Sequence, residues 1–261
     1  MKDLWHWHIE TEYPYLTTTL LKYWQHGFFT RAAWPKAPEA ISPHLDMSAT
    51  VYRAKQVHGK RVLNPSGFPL GSPGAEADSS RPEADAVMTM APQQAAWVCT
   101  ADCTPVLIAD ATTGQVAAVH AGWRGTALKI VPETIRCMQN HGSQLSDLRV
   151  AMGPAIAGEV YQVTTHVAAE VGRSLTLTEA DAADLLNQLQ TMESPPILPD
   201  STPGRVRLDV RRILDLQLAE IGLAPEQIAI APHCTYQEPE KFFSYRRTRE
   251  KKVQWSGIVS T

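Results

Sequence analysis

One cysteine and two histidines are the side chains in this sequence that are best suited to chemistry. His58, Cys103 and His120 each lie near the end of a short apolar run, beside glycine or other small residues. A catalytic zinc site takes three protein ligands and leaves a further position for water or substrate. A mixed set of thiolate and imidazole donors favours zinc, with copper as the competing metal. These three residues are therefore a candidate metal centre.

The spacing of these residues does not by itself establish a metal site. It matches no local zinc-finger pattern, and lone cysteines and histidines are more often ordinary core residues. A second chemistry is also open, in which Cys103 is a nucleophile and His120 is its base. Since a coordinated thiolate is not a free nucleophile, metal content separates these two chemistries.

Two apolar runs, Pro105–Asp110 and Gln115–His120, predict a hairpin that brings Cys103 close to His120. Short β-branched runs joined by a glycine-containing turn are typical of such a hairpin. If the last residue of the first run pairs with the first residue of the second, Cys103 lies diagonal to His120. Diagonal neighbours lie ~7–8 Å apart or somewhat less. At that separation a thiolate and an imidazole can bind one metal ion.

Several polar side chains adjoin the three candidate ligands in sequence. Asp102 directly precedes the cysteine, and Arg124 follows the second histidine within a glycine-flanked loop. A guanidinium group suits phosphate or carboxylate, although an ion pair with Asp85 or Asp102 is an alternative of nearly equal weight for Arg124. Lys55 and Gln56 precede the first histidine, and they either bind a ligand or face water.

Composition limits the class of protein. The chain has 261 residues, 44% of them hydrophobic, and we expect one domain over residues 1–261. Its formal net charge of −3 argues against nucleic-acid binding. No apolar stretch approaches ~18 residues and no signal-peptide pattern begins the chain, so we expect no membrane association. Four cysteines without framework spacing favour a cytoplasmic protein with reduced thiols.

Other cysteines and histidines have simpler interpretations. His6 and His8 share one face of a predicted strand, which is more often an ordinary strand face than a metal pair. Cys99 and Cys137 resemble small core residues, while Cys234 adjoins a histidine. The sequence contains no P-loop, no dinucleotide fingerprint after a strand and no nucleophile elbow.

The predicted elements alternate irregularly, which favours an α/β or α+β fold with mixed sheets. Helices are predicted at 126–140, 160–171 and 208–222, and strands at 148–152 and 228–231. The first helix is expected to be kinked at Pro132 or to begin near Val131.

Three segments are predicted to lie outside the regular elements. Residues 64–82 have the composition of a surface loop. Residues 176–204 are acidic and then Pro-rich, and we expect a short helix followed by a mobile excursion. Residues 246–252 carry several cations, as is typical of a solvated basic face.

Seven motifs occur in an order that closely resembles the YfiH family, which carries the label multicopper polyphenol oxidase or laccase-like protein. They are KQVHG (55–59), DAVMT (85–89), TADCTPVLIAD (100–110), VAAVHAGWRGT (116–126), MGPAI (152–156), LDV (208–210) and CT…FFSYRR (234–247). The resemblance spans residues 26–258, and its TADC and HAGWRG blocks are the most specific. The chain departs from the family pattern after HGFFTR (26–31) and around residues 254–256, which affects substrate contacts from those segments.

The resemblance implies a zinc site at His58, Cys103 and His120. It also implies packed mixed β-sheets flanked by helices, a layered fold related to a cysteine-hydrolase (CNF) toxin. For activity, it implies phosphorolysis of adenosine, inosine and methylthioadenosine together with deamination of adenosine. The expected partners are thus a purine nucleoside and phosphate, in a monomer or weak homo-oligomer.

The resulting set of expected site residues has two parts. The catalytic residues are expected to be Cys103, His120, Arg124 and Asp102. The substrate-binding residues are expected to be Lys55, Gln56, Arg31 and Asp85. Arg124 is the expected phosphate ligand, with Arg31 or the Arg246–Arg247 pair as the alternative.

Laccase chemistry agrees poorly with the histidines of the chain. There are nine histidines in all and a single His-x-His motif, at His6 and His8, which is too few for a trinuclear copper cluster. A single copper ion in place of zinc would give slow oxidation of polyphenols. A hydrolase of amides or peptidoglycan precursors that uses Cys103 and His120 is also open, and so is a metal-bound sensor without enzymatic activity.

Overall fold

Fifteen strands and seven helices lie within residues 4–68, 81–175 and 181–261, which are the residues that the computed structural model describes. The strands are β1 (Trp5–His8), β2 (Tyr15–Thr18), β3 (His26–Phe29), β4 (Thr50–Tyr52), β5 (Val62–Leu63), β6 (Ala86–Met88), β7 (Gln94–Thr100), β8 (Thr104–Asp110), β9 (Val116–Ala121), β10 (Leu148–Met152), β11 (Gln162–Thr164), β12 (Ile197–Pro199), β13 (Arg205–Leu208), β14 (Ile228–Ile230) and β15 (Gln254–Val259). The helices are α1 (Pro38–Ile41), α2 (Trp123–Ala127), α3 (Ile130–Gln139), α4 (Thr165–Gly172), α5 (Ala182–Gln190), α6 (Val210–Glu220) and α7 (Tyr245–Thr248). None of the helices in these ranges has the length and apolar character needed to cross a membrane.

The strands form three sheets, and the predicted mixed α/β class is confirmed. The first sheet has the order β1-β2-β3-β15-β7-β4, the second β14-β10-β8-β9-β6-β5, and a small third sheet β11-β13-β12. Most neighbours are antiparallel, but the pairs β4–β7, β5–β6 and β10–β14 are parallel. The sheets are therefore mixed, as the irregular alternation of elements indicates.

The hairpin β8–β9 forms the centre of the second sheet and is buried along its whole length. Leu107 belongs to one buried cluster with Phe28 and Val98 of the first sheet. The adjacent Val106 belongs to another cluster with Ile135 of α3. Strands covered on both faces are continuous apolar runs rather than alternating ones, which explains the sequence of this hairpin.

The predicted register of the hairpin is confirmed. Pro105 pairs with His120, and the Asp110 N–H donates to the carbonyl of Gln115 over 2.9 Å. Cys103 immediately precedes β8 and therefore lies next to His120 across the ladder. The hairpin thus fixes the positions of two of the three candidate ligands.

The predicted helix at 126–140 is divided into α2 and α3. Lys129 separates them with φ +59° and precedes the first residue of α3. Pro132 lies in the first turn of α3, where its missing N–H breaks no intrahelical bond. The expected start near Val131 is confirmed within one residue.

The other two predicted helices are present with different starting points. In the segment 160–171, residues 162–164 form strand β11, and α4 starts only after them. The hydroxyl of Thr164 caps the helix by accepting the Val167 N–H. At 208–222, Asp209 caps α6 as expected, and Gly222 follows its end with φ +97°. A short strand before a helix has no periodicity of its own, which explains the difference at residue 160.

The segments predicted to lie outside regular structure are more regular than expected where they are described. Residues 181–204 contain helix α5 and strand β12, in which Ile197 is fully buried and pairs with Leu208. Burial of this apolar side chain explains why the Pro-rich part forms a strand. Residues 176–180, and residues 69–80 of the predicted 64–82 loop, lie outside the described residues.

His26 in β3 is a buried histidine that the fold holds in its neutral form. Its Nε2 accepts the Thr18 N–H over 2.9 Å, and its Nδ1 donates to the Trp24 carbonyl over 2.8 Å. Burial lowers the pKa of His26 to about 4, against an opposing effect of that carbonyl. A protonated ring cannot accept a hydrogen bond at Nε2, so protonation disrupts the β2–β3 junction.

We expect His26 to weaken the fold as the pH falls from 6.5 towards 4. In this window the unfolded chain binds a proton at His26 that the folded chain does not, so the free energy of unfolding decreases, by ~3 kcal/mol at the lower limit. Urea unfolding at several pH values should show a smaller loss across this window in His26→Gln than in the unmodified chain. Equal losses in both proteins would contradict this role.

Candidate metal centre and pocket

The three candidate ligands converge from three separate parts of the fold. His58 lies in a turn after β4, Cys103 lies where the chain passes from the first sheet to the second, and His120 lies in β9. Their ligand atoms all lie within 4.8 Å of one another. Cys103 Sγ is 4.0 Å from His58 Nε2, and the two imidazole rings are 4.7 Å apart at 80°. Among the described residues, this is the one such group of three.

A buried carboxylate holds both histidines in place. Asp85 Oδ1 accepts hydrogen bonds from the His58 N–H (2.9 Å) and from His120 Nδ1 (2.8 Å). Its Oδ2 accepts from the N–H groups of Val57 (3.2 Å) and Gly59 (2.6 Å). Because an ionised carboxylate only accepts, the Nδ1 of His120 carries a proton, which leaves Nε2 as the atom that a metal would bind in place of a proton.

Charge coupling within the site favours the thiolate form of Cys103. Burial opposes charge on both Cys103 and His120, but their mutual attraction, together with the hydrogen bonds of Cys103 to both imidazoles and of His120 to Asp85, outweighs it. The pKa of Cys103 is lowered to about 6, and the pKa of His120 is raised to about 9. The hydrogen bond and the charge of Asp85 contribute to the rise at His120. The thiolate is the form that both metal binding and nucleophilic attack require.

Gly122 leaves the space that this convergence needs. A Cβ atom at this position would lie 2.8 Å from Cys103 Sγ and 3.2 Å from His58 Cδ2. Any larger side chain would therefore displace one of the candidate ligands. This close approach gives a physical reason for glycine in the HAGWRG block.

The donor set fits a catalytic metal centre. One thiolate and two imidazoles are zinc-type ligands, and three protein donors leave a coordination position for water or substrate. The hydrogen bond from His120 to a carboxylate is the outer contact that orients metal-bound histidines in proteins.

The three candidate ligands line a cavity of about 500 Å³, a size typical of small-molecule sites. Aromatic and cationic side chains dominate its walls. Its other lining residues are Gln56, Cys99, Thr100, Ala101, Asp102, Trp123, Arg124, Tyr161, Tyr245, Arg246, Arg249, Glu250, Lys251, Lys252 and Val253.

Asp102 lies in this pocket with both carboxylate oxygens engaged. Oδ1 accepts the hydroxyl of Thr235 over 2.8 Å, and Oδ2 accepts the backbone N–H of Arg246 over 2.7 Å. Its φ of +97° is rare for a residue other than glycine. Asp102 therefore joins the turn that carries Cys103 to the C-terminal part of the pocket.

Arg124 also lies in the pocket, and it is exposed. Its guanidinium lies over the Trp123 ring, 4.3 Å from the ring centre. Within the described ranges no ion pair joins it to Asp85 or Asp102, whose carboxylates accept hydrogen bonds from other donors. The alternative interpretation of Arg124 as the partner of these residues is therefore wrong.

Lys55 and Gln56 have contacts that differ from those of a ligand-binding pair. Gln56 lines the pocket, but its side-chain amide donates to the Cys99 carbonyl and accepts the Cys99 N–H, both over 2.8 Å. Lys55 lies outside the lining and forms a 2.8 Å ion pair with Glu83. The structure thus brings only Gln56 to the site.

Arg31 lies outside the pocket lining. It donates to the carbonyl of Pro239 and lies over the Phe243 ring, 4.5 Å from its centre. These contacts attach the turn after β3 to the C-terminal region. The structure therefore does not bring Arg31 to the cavity that holds the three candidate ligands.

Residue spacing did not identify two parts of the pocket. The aromatic wall contains Trp123, Tyr161 and Tyr245, and the C-terminal wall contains Arg246 and residues 249–253. Burial raises the pKa of Tyr161 to about 12. The expected solvated face at 246–252 is exposed at residues 248–251, and Arg246 and residues 249–252 also form pocket wall, because Asp102 binds the Arg246 N–H and so holds α7 against the turn of Cys103. Only the FFSYRR motif pointed to this region.

The remaining cysteines and the N-terminal histidines lie outside the metal centre. Cys234 is buried and its sulfur accepts the Ala157 N–H over 3.3 Å. Cys137 packs beside a core cluster. His6 and His8 lie on the exposed face of β1, and no third metal-ligating residue of the described chain joins them.

Comparison with known proteins identifies relatives over nearly the whole chain. A purine nucleoside phosphorylase of Synechocystis sp., slr1573, is 54% identical over 260 residues, which are 99% of this chain and 98% of that protein. A purine nucleoside phosphorylase named YfiH from Shigella flexneri is 33% identical over 195 residues, which are 75% of this chain and 68% of that protein.

Solved structures share the fold. The hypothetical protein YfiH of Bacillus licheniformis superposes with a TM-score of 0.80 at 24% identity, covering 98% of this chain and 99% of that one. YlmD of Geobacillus stearothermophilus gives 0.79 at 23% identity, with 99% of each chain covered. The family model described as multi-copper polyphenol oxidoreductase laccase matches residues 36–259. The chain therefore belongs to this family, the family of YfiH.

Proposed function

We propose that the chain is a zinc-dependent purine nucleoside phosphorylase that also deaminates adenosine. The observation that carries the proposal is the convergence of His58, Cys103 and His120 on a cavity with aromatic and cationic walls. Relatives named purine nucleoside phosphorylase support the reaction class. The proposed substrates are adenosine, inosine and methylthioadenosine, with phosphate as the second substrate.

Phosphorolysis sets the groups that the pocket must supply. A phosphate oxygen forms a bond to C1′ of the ribose while the bond between C1′ and N9 breaks. The electron pair of the broken bond stays with the purine, which takes up a proton, and ribose 1-phosphate is the other product. The pocket must therefore bind a flat apolar base beside a dianion.

The pocket walls match these two needs. Trp123, Tyr161 and Tyr245 supply aromatic faces and edges for a purine ring. The Tyr161 phenol keeps its proton at neutral pH and can donate a hydrogen bond to the base. Arg124 presents a planar pair of donors that suits phosphate.

Asp102 has a different role from the catalytic one expected from sequence. Both of its oxygens accept hydrogen bonds, from Thr235 and from the Arg246 N–H. We assign Asp102 to positioning the C-terminal wall beside Cys103.

Deamination uses the same pocket with water in place of phosphate. A water oxygen forms a bond to C6 of adenosine, the amino group leaves as ammonia, and inosine is the product. When bound, zinc lowers the pKa of a water ligand towards ~7, which supplies hydroxide at neutral pH. His58, Cys103 and His120 would hold the metal, and Asp85 keeps His120 in the tautomer with Nε2 free.

A thiol hydrolase is the second candidate, and the position of the Cys103 thiol beside two imidazoles favours it. The pKa of Cys103 is lowered to about 6 beside His120, as in cysteine enzymes that use a thiolate–imidazolium pair. In that case Cys103 would attack an amide carbonyl and His120 would give its proton to the leaving amine. This reaction requires metal-free protein, whereas the phosphorylase requires metal.

We expect the protein, when purified without chelator, to contain about one zinc per chain, and the Cys103→Ala variant to lose most of it. Elemental analysis measures the metal content, and nucleoside turnover should fall in parallel. Cys137→Ala is the matched control, since that cysteine lies away from the site. Full zinc content in Cys103→Ala would remove this residue from the ligand set.

Replacing Asp85 with Asn should weaken zinc binding by ~10–100-fold. An amide nitrogen in place of either oxygen would face two donors, so the His58 turn or the His120 ring must shift. Asp110→Asn is the control, because Asp110 is equally buried and accepts two N–H groups at the other end of β8. Competition with a chelator measures the affinity, and equal effects of both variants would show a general loss of stability instead.

Arg124→Lys keeps the charge and loses the planar fork. We expect zinc content and fold to be retained, while the phosphate concentration needed for half-maximal adenosine phosphorolysis rises tenfold or more, ~1.4 kcal/mol. Deamination by the same variant is the internal control and should decrease less, since it uses water. Equal loss of the two activities would assign Arg124 a structural role.

A further inference from the structure

The chain turns sharply where it leaves helix α7, and the turn places several cations on the pocket wall. Arg249 has φ +60° and ψ +11°, and its N–H donates to the Tyr245 carbonyl over 2.9 Å. Residues 249–253 then line the pocket before β15 begins at Gln254. We call residues 249–252 the C-terminal basic segment.

The backbone conformation of Arg249 is unfavourable for its residue type. The left-handed region is unfavourable for an L-residue, and glycine is the usual residue at such a helix end. Non-glycine residues in sparsely populated conformations cluster at functional sites. An arginine at this position, with its side chain at the pocket, therefore points to a use for its charge.

Positive charge is concentrated at this pocket although the whole chain has a net charge of −3. Five arginine and lysine side chains line it, against two carboxylates, Asp102 and Glu250. Glu250 pairs with Lys252 over 3.2 Å. Among the described residues, neither Arg249 nor Lys251 has a carboxylate partner within ion-pair distance. A dianion is the ligand that would balance these charges.

The fold holds this segment close to the metal centre. The N–H of Arg246 donates to Asp102, the residue before Cys103, and its guanidinium donates to the Gln162 carbonyl over 2.7 Å. Arg247 fixes the same helix from the other side with hydrogen bonds to the carbonyls of Thr235 and Phe242, both 2.7 Å. The cations beyond α7 are thus attached to a fixed support.

We propose that Arg249 and Lys251 form an oxyanion subsite that binds inorganic phosphate and the phosphate group of the ribose 1-phosphate product, with Arg124 contributing from α2. The proposal rests on the proposed function, because it names the place of the second substrate. Charge-assisted bonds from arginine and lysine to phosphate are short and strong. In this arrangement the aromatic wall binds the base and the C-terminal basic segment binds the dianion.

Calorimetric titration of the zinc-containing protein with inorganic phosphate tests the subsite directly. We expect Arg249→Gln and Lys251→Gln each to raise the Kd of phosphate by roughly tenfold, and Arg249→Lys to restore most of the affinity. Arg249→Gly should bind as weakly as Arg249→Gln, although it relieves the backbone strain. Arg205→Gln is the matched control, since Arg205 is exposed and lies outside the pocket.

Parallel assays of nucleoside turnover separate this inference from the proposed function. Phosphate binding that depends on Arg249, in a protein that converts no nucleoside, would support the subsite and contradict the phosphorylase. Phosphorolysis with an unchanged phosphate requirement in Arg249→Gln and Lys251→Gln would overturn the subsite and leave the phosphorylase intact. Absence of measurable phosphate binding, or binding insensitive to both substitutions, would also overturn the subsite.

Discussion

The site depends on the carboxylate of Asp85, which is fully buried between the turn of His58 and the strand of His120. Its two oxygens satisfy three consecutive backbone N–H groups and one imidazole. Four donors offset the cost of burying this charge and keep its pKa below the ordinary value against the effect of burial. One residue therefore sets both the position of His58 and the tautomer of His120.

Much of this site follows from local sequence, and the hairpin shows why. Continuous apolar runs joined by a short turn admit one register here, and that register places Cys103 next to His120. The role of Asp85 could not be predicted in the same way. Its contacts lie 26 to 35 residues away in sequence, and no spacing rule connects a carboxylate to a distant turn. The DAVMT motif marked Asp85, but the substrate-binding role expected for it differs from its place in the structure, where it is fully buried, lies outside the pocket lining and binds the His58 turn and His120.

The C-terminal wall shows a second limit of sequence reasoning. Residues 246–252 have the composition of a solvated basic face, yet Asp102 binds the first of them beside the metal centre. Strand β12 is a second example. The composition around it is that of a loop, but Ile197 is buried in a small sheet and the segment forms a strand. In both cases a tertiary contact, rather than local preference, decides the structure.

The description of the family as a multi-copper oxidase fits these residues less well than a single-metal enzyme. The described chain provides one group of three metal-ligating side chains, whereas multicopper oxidation needs several adjacent copper sites. Thiolate and imidazole donors of this kind bind copper as well as zinc, so a single copper ion in place of zinc would allow at most slow oxidation, without a dedicated oxidase site. The cavity beside the candidate metal centre instead has aromatic and cationic walls, which fit the nucleoside and phosphate of the proposed function.

Product analysis with adenosine decides whether this pocket carries out phosphorolysis and deamination. Protein of known zinc content is incubated with adenosine, with and without phosphate, and the products are separated chromatographically. We expect adenine and ribose 1-phosphate only when phosphate is present, and inosine with ammonia in its absence. Unchanged adenosine under both conditions, in protein that holds its zinc, would contradict this expectation.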